Sequence, residues 1–181
     1  MGQPRSISSV KFIQKVTNTL LRTKILKLSD HFSLRELTKS QTGTRLGISN
    51  APDSAHRVNL VALCHNVLEP IRKEFGVVSV NSAYRSPALN KAIGSTSEKS
   101  QHIFGEACDL ECFRAKSNLF VAEWIKTSLD FDQIILEYHD ESDPFSGWIH
   151  VSTKRLQSQN RNMCLHTAVI DGRTSYQEGL T

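Results

Sequence analysis

Within residues 100–109 the chain reads Ser-Gln-His-Ile-Phe-Gly-Glu-Ala-Cys-Asp, so that His102 and Asp109 stand seven apart with Gly105 between them. A second histidine, His150, follows inside the apolar, strand-like run Trp148-Ile149-His150-Val151-Ser152. Two imidazoles and one carboxylate are the ligand set of a catalytic zinc site, which keeps its fourth position open for water. Asp109 and His150 both fall in predicted strands, His102 enters from the loop before one, and Gly105 lets the backbone turn between the two nearer residues. Any fold that uses this constellation must bring those strands together.

The rest of the chain is consistent with one domain. At 181 residues and 39% hydrophobic it can bury a single sizeable core. No apolar run approaches the roughly 18 residues of a membrane span. Residues 1–29 carry Arg5, Lys11, Lys15, Arg22, Lys24 and Lys27 and no acid, so the net charge of +4 is concentrated there. This basic arm reads as an amphipathic helix with its lysines in solvent, and as a possible contact to an anionic surface. Lysines interrupt each of its apolar runs, so an export signal is not expected and the chain is read as made in the cytoplasm. Cys64, Cys108, Cys112 and Cys164 form no CxxC pair. Cys108 and Cys112 would lie about 13 Å apart along a strand, too far to bridge. Free buried thiols are expected.

Local signals give an α+β alternation. Ser33-Leu34-Arg35-Glu36 is a capping box opening a short helix. Leu60, Leu63, Cys64, Val67, Leu68 and Ile71 mark one face of the longest helix, which Gly76 stops. A strand over 77–80 runs into Asn81-Ser82-Ala83-Tyr84-Arg85-Ser86-Pro87, and Pro87 suits the first turn of a small helix over 88–93. Strands are predicted over 106–112, 132–138 and 147–153, the last two joined as a hairpin, and Ser117 caps a helix through Ile125. Beyond Arg155 a strand-like run over 164–170 is the one firm signal. The predicted architecture is helices packed on a mostly antiparallel sheet in a single domain.

If the three ligands converge, the chain is a metal-dependent hydrolase, with a metal that polarises a carbonyl and activates water. Glu137, at the end of the strand before the hairpin, is the leading candidate for general base. Glu141 and Asp143 are rivals on the connecting loop. Arg85, just after a strand and pinned by Pro87, fits a positive group for an anionic substrate or oxyanion. Ser100 is expected to orient the site through a hydrogen bond, and Trp148 to pack beside it. His31, His56, His65, His139 and His166 have no partner at ligand spacing.

Ser100, His102, Gly105, Ala107 and Asp109 resemble the SxHxxGxAxD motif of zinc D-Ala-D-Ala peptidases. That group contains carboxypeptidases, vancomycin-resistance dipeptidases, phage L-alanyl-D-glutamate endolysins and, more distantly, the hedgehog signalling domain. Residues 32–37, 68–72, 84–87 with Leu89-Asn90, 148–152 and the polar turn Asn160-Arg161-Asn162 carry the same likeness. The resemblance implies a hedgehog/DD-peptidase-like fold over residues 30–165, with 1–29 as the arm and 166–181 as a tail. It implies Zn2+ held by His102, Asp109 and His150, catalysis by Glu137 and Arg85, and substrate contacts from Tyr84, Arg85 and Ser100. The implied substrate is a peptidoglycan stem peptide, cut as a D-Ala-D-Ala carboxypeptidase or, second, as an L-Ala-D-Glu endopeptidase. A phage-type cell-wall hydrolase, acting on the wall after release or as a virion component, follows by analogy. No nucleic-acid partner is expected, and a monomer is. Two departures stand out. Many members place an acid three residues before the last histidine, where this chain has Gly147, and Ala83 stands where glycine is usual. Gly147 is the reason for an alternative reading, a zinc-containing non-catalytic module that binds peptidoglycan or a partner.

Overall fold

A computed structural model describes residues 26–95 and 97–181. The basic arm lies, up to residue 25, outside the described residues. Ser33 caps α1 (Leu34–Leu37) by accepting from the Glu36 backbone N–H, and Ser40 caps α2 (Gln41–Leu46) in the same way from Gly43. Asp53 caps α3 (Ser54–Leu63), which continues through a π-helical turn (Cys64–Leu68) into α4 (Glu69–Phe75). The wide turn has a local cause. Pro70 lacks an N–H and its ring would meet the Asn66 carbonyl in a regular α-helix, so widening the preceding turn removes the conflict. Gly76, at φ 79°, ends the run.

The strand expected over 77–80 forms two residues later, as β1 (Ser79–Ser82). It leads to α5 (Pro87–Ala92), β2 (Ala107–Glu111), α6 (Asn118–Ser128), β3 (Gln133–Glu137) and β4 (Trp148–Ser152). Two further strands, β5 (Met163–Ile170) and β6 (Arg173–Glu178), complete a six-stranded sheet in the order β1-β2-β4-β3-β5-β6. Among the described residues only β3 and β5 pair in parallel; the other pairings of the sheet are antiparallel. The sheet therefore continues through residues 166–178, which the sequence presents as a tail. β5 crosses position 165, and β6 is mostly exposed and lacks an apolar alternation that would announce it.

Strand alternation divides the sheet into two faces. Cys108 and Leu110 of β2, Ile149 and Val151 of β4, and Ile134 and Leu136 of β3 are fully buried. They join Leu60, Leu63, Val67 and Ile71 of the long helix and Val121, Ala122 and Ile125 of α6 in one core. The opposite face carries Asp109, His150 and Ile135, which lie side by side in register. No helix among the described residues is long and apolar enough to cross a membrane.

Candidate metal centre

Asp109 of β2 is paired directly with His150 of β4, so the antiparallel register alone sets two of the three expected ligands next to each other. His102 arrives from a turn whose bonds Ile103 N–H to Ser100 and Gly105 N–H to His102 fold the chain back on itself. Gly105, at φ 70°, closes that turn, and a Cβ there would come within 2.8 Å of the His56 carbonyl and 3.0 Å of Leu60 Cγ. The turn can thus seat against α3 only with glycine at its end.

The three side chains converge. His102 Nε2 and His150 Nδ1 lie 3.1 Å and 3.0 Å from Asp109 Oδ1 and 3.2 Å from each other. All three residues are buried, at 3%, 7% and 6% exposure for His102, His150 and Asp109. His102 Nδ1–H donates to the Ala83 carbonyl at 2.7 Å, which fixes the tautomer and leaves Nε2 as a lone pair facing the cluster. Arg85 binds the other carboxylate oxygen, Asp109 Oδ2, through Nη2 and donates from Nε to Ser82 Oγ at 2.8 Å. The two Asp109 oxygens are thus divided between partners, with Oδ2 anchoring the arginine and Oδ1 facing the imidazoles.

Burial disfavours charge on Asp109, but in acid the protonated imidazoles of His102 and His150, through charge and hydrogen bonding, outweigh it and hold its pKa far below the ordinary carboxylate range. Burial also depresses the His102 pKa; Asp109 opposes this only in part, and His150 and Arg85 add to the depression. The result is a carboxylate beside a neutral imidazole, the protonation states that a metal requires of its ligands. Tetrahedral zinc at about 2.0–2.1 Å from its ligands sets those atoms about 3.3 Å apart. The donor set and its spacing fit zinc.

Glu137 falls on the same face as His150, because it is paired with Trp148 two residues along. It is half-buried, and its pKa is raised, first by burial and then by the Asp109 charge, against the lowering effects of His150 and Arg85. The loop acids are placed differently. Asp143 accepts from the Phe145 N–H and Asp140 from Ser142, both as local turn contacts, and Glu141 is exposed.

Gly147 is explained by the same hairpin. At φ 66° its backbone lies against the end of β3, where a Cβ would run into the Glu137 carbonyl and come within 2.7 Å of the Tyr138 carbonyl carbon. An acid cannot stand there without moving the strand end that carries Glu137. Ala83 needs no such freedom, since its φ is not positive.

Two expected contact residues sit differently from Arg85. Tyr84 is 4% exposed, its ring 5.6 Å from that of His56, and belongs to the core rather than to an open surface. Ser100 contributes its carbonyl to the turn, and its hydroxyl makes no hydrogen bond among the described residues. His31 pairs with Glu69, His56 with Asp53, and His166 with the Gly179 carbonyl, all away from the cluster.

Neither Ala83, which locks His102, nor the buried support behind it stands out in the sequence. Asp132 is fully buried just before β3 and accepts from Gln101 Nε2 at 2.8 Å and from Arg161 through its backbone N–H and guanidinium. It ties the residue before His102 to the Asn160-Arg161-Asn162 turn. An acid placed directly before an apolar strand was the available signal. Cys64 and Cys112 are free thiols pushed up to about 12 by burial, and they are inert beside this chemistry.

A buried His-Asp-His cluster with a carboxylate on the same sheet face, on an α+β scaffold, fits the metal site of a metal-dependent hydrolase. The family model of Peptidase M15 matches residues 30–152, and the chain belongs to that family of zinc-dependent D-Ala-D-Ala carboxypeptidase-like peptidases. Among curated proteins none matches the chain.

Proposed function

We propose that this protein hydrolyses a peptide bond in peptidoglycan stem peptides, as a D-Ala-D-Ala carboxypeptidase ahead of an L-Ala-D-Glu endopeptidase, and that it is a phage-type wall enzyme. The observation that supports this best is the convergence of His102 Nε2, His150 Nδ1 and Asp109 Oδ1, with Glu137 on the same sheet face. Zinc held by these three atoms supplies Lewis-acid polarisation of the scissile carbonyl and eases ionisation of water. The Ala83 carbonyl keeps the His102 proton on Nδ1, so Nε2 stays free for the ion. Glu137 takes the proton of the attacking water at its carboxylate and passes it to the departing amine. A pKa raised by burial brings that carboxylate nearer the working range of a base at neutral pH. Arg85, fixed by Ser82 and Asp109, holds the anionic end of the substrate.

Replacing Glu137 with Gln tests the assignment. Cleavage of muropeptides should fall by about 10²–10⁴-fold, the usual share of a positioned base, with zinc still bound. Unchanged turnover refutes the role of Glu137. Mass spectrometry of the products separates the two bonds, since loss of one alanine and cleavage before glutamate give different masses. A second reading, a zinc-bearing module that binds without cutting, draws on Gly147 where many relatives carry an acid. Zinc-loaded wild type that binds muropeptides and turns over none of them would establish it.

A further inference from the structure

Two partly exposed tyrosines share the sheet face that carries Asp109, His150 and Glu137. Leu165 of β5 is in register with Ile135 of β3 and with Glu178 of β6. Counting back by two along β6 puts Tyr176 on that same face, opposite Thr167. Tyr138 reaches it by a different route. As the residue after Glu137 it would point to the core side in a regular strand, but its φ is 53°. That left-handed conformation is strained for a bulky side chain and turns Tyr138 onto the face of its predecessor.

The contacts agree with this placement. The Tyr138 ring lies 5.2 Å from that of Trp148, its N–H donates to Thr167 Oγ1 at 2.6 Å, and its hydroxyl is 3.4 Å from Thr174 Oγ1. Tyr138 is 47% exposed and Tyr176 56% exposed, so both leave surface open on the sheet face that carries the buried His-Asp-His cluster. Strained backbone and open aromatic surface at one place are a poor use of a fold unless something binds there.

From this arrangement we infer that Tyr138 and Tyr176 form a subsite for the acyl-side residues of the peptide substrate, remote from the scissile bond. The inference rests on the peptidase reading above. Its direction comes from the order of strands. Arg85 lies beyond β2 at one end and takes the anionic carboxyl terminus, the ligands and Glu137 occupy the middle, and the tyrosines stand on the β5–β6 side. A substrate held by Arg85 and cut over His150 must send its acyl portion across β3 toward β6. β6 is two strand spacings from β3, about 10 Å, and an extended peptide covers that distance in about three residues. A dipeptide cannot reach Tyr176, whereas a pentapeptide ending in D-Ala-D-Ala passes Tyr138 at the end of β3 and reaches it. No cation belongs to the group Tyr138, Thr167, Thr174 and Tyr176, so the surface suits methyl side chains and backbone amides, which pack on and hydrogen-bond to phenols. Tyr138 lies inside the family match at residues 30–152 and Tyr176 outside it.

A ladder of N-acetylated peptides ending in D-Ala-D-Ala, with none to three alanines before that pair, reads the subsite in zinc-loaded protein. In Tyr176→Ala, KM for the longest peptide should rise about tenfold, equivalent to ~1.4 kcal/mol, with kcat and the shortest peptide unaffected. Tyr176→Phe should keep most of the wild-type preference. An equal loss on every length, or no loss on any, overturns the subsite while leaving the peptidase reading intact. Wild type that cuts no member overturns the carboxypeptidase reading instead. Calorimetric affinity of wild type and Tyr176→Ala for the longest peptide decides the subsite in that case: a tenfold difference upholds it, and equal affinities refute it.

Discussion

Gly147→Ala is expected to destabilise the protein through the strand end that holds Glu137. Two costs combine. A non-glycine residue at φ 66° costs about 1–2 kcal/mol for the left-handed backbone. The new Cβ also overlaps the Glu137 carbonyl and meets Tyr138 backbone atoms at 2.7 and 2.8 Å, and backbone atoms have no rotamer by which to retreat. Relief requires a shift of the β3–β4 hairpin, an overpacking cost of about 1–3 kcal/mol. Together these are ~2–5 kcal/mol, a large part of the roughly 5–15 kcal/mol that holds a domain folded. At about 2–4 °C per kcal/mol for a chain of this size, Tm should fall by about 4–20 °C. Gly172→Ala is the control, since Gly172 has φ 73° and nothing within 4 Å of its added Cβ. It bears the backbone cost alone, so thermal or urea unfolding should place it near 1–2 kcal/mol. Equal losses in the two variants would refute the steric argument. So would a Gly147→Asp protein of wild-type stability, because the acid common among relatives would then fit where the hairpin leaves no room.

Two further tests concern the ligand cluster and its support. A chelator should remove zinc and activity from the wild type, and adding zinc back should restore both; Asp109→Asn should not bind zinc stoichiometrically, and full zinc occupancy in that variant would remove Asp109 from the ligand set. Asp132→Asn should cost about 1.5–3 kcal/mol at neutral pH, the range for charged hydrogen bonds, here to Arg161. Burial raises the Asp132 pKa, but the bonds and charge of Arg161, with Gln101, outweigh it and leave it depressed. The stabilisation is therefore present above the unfolded carboxylate pKa and is lost as pH falls through the lower folded value. Urea midpoints of wild type and variant should accordingly converge in acid, and a gap that widened as pH fell would contradict the pairing.

Much of the site is legible in one dimension because metal chemistry accepts few residue types. His102, Asp109 and His150 stand out by kind and spacing, and the strands carrying Asp109 and His150 announce themselves by apolar runs. The hairpin between β3 and β4 is local, so the pairing of these two strands is legible in the sequence, whereas the register that sets Glu137 opposite Trp148 is visible only in the structure. Capping by Ser33 and Ser117 is readable for the same reason: a cap bonds a backbone N–H three residues away.

What escaped the sequence depends on partners distant along the chain. β6 is mostly exposed, so no apolar alternation marks it, and β5 joins β3 in parallel across an intervening strand and loop. The Ala83 carbonyl carries no side-chain signature for its bond to His102, nineteen residues away. Tyr84 beside Arg85 looks equally suited to a substrate, and only packing sends one into the core and the other to Asp109. Gly147 reads in sequence as a missing acid; in space it is the residue that lets two backbones meet. Residue chemistry by itself pointed to a metal site, since the ligands must be of certain kinds. The tertiary structure decided which groups surround that site, because burial, register and close approach exist only once the strands are side by side.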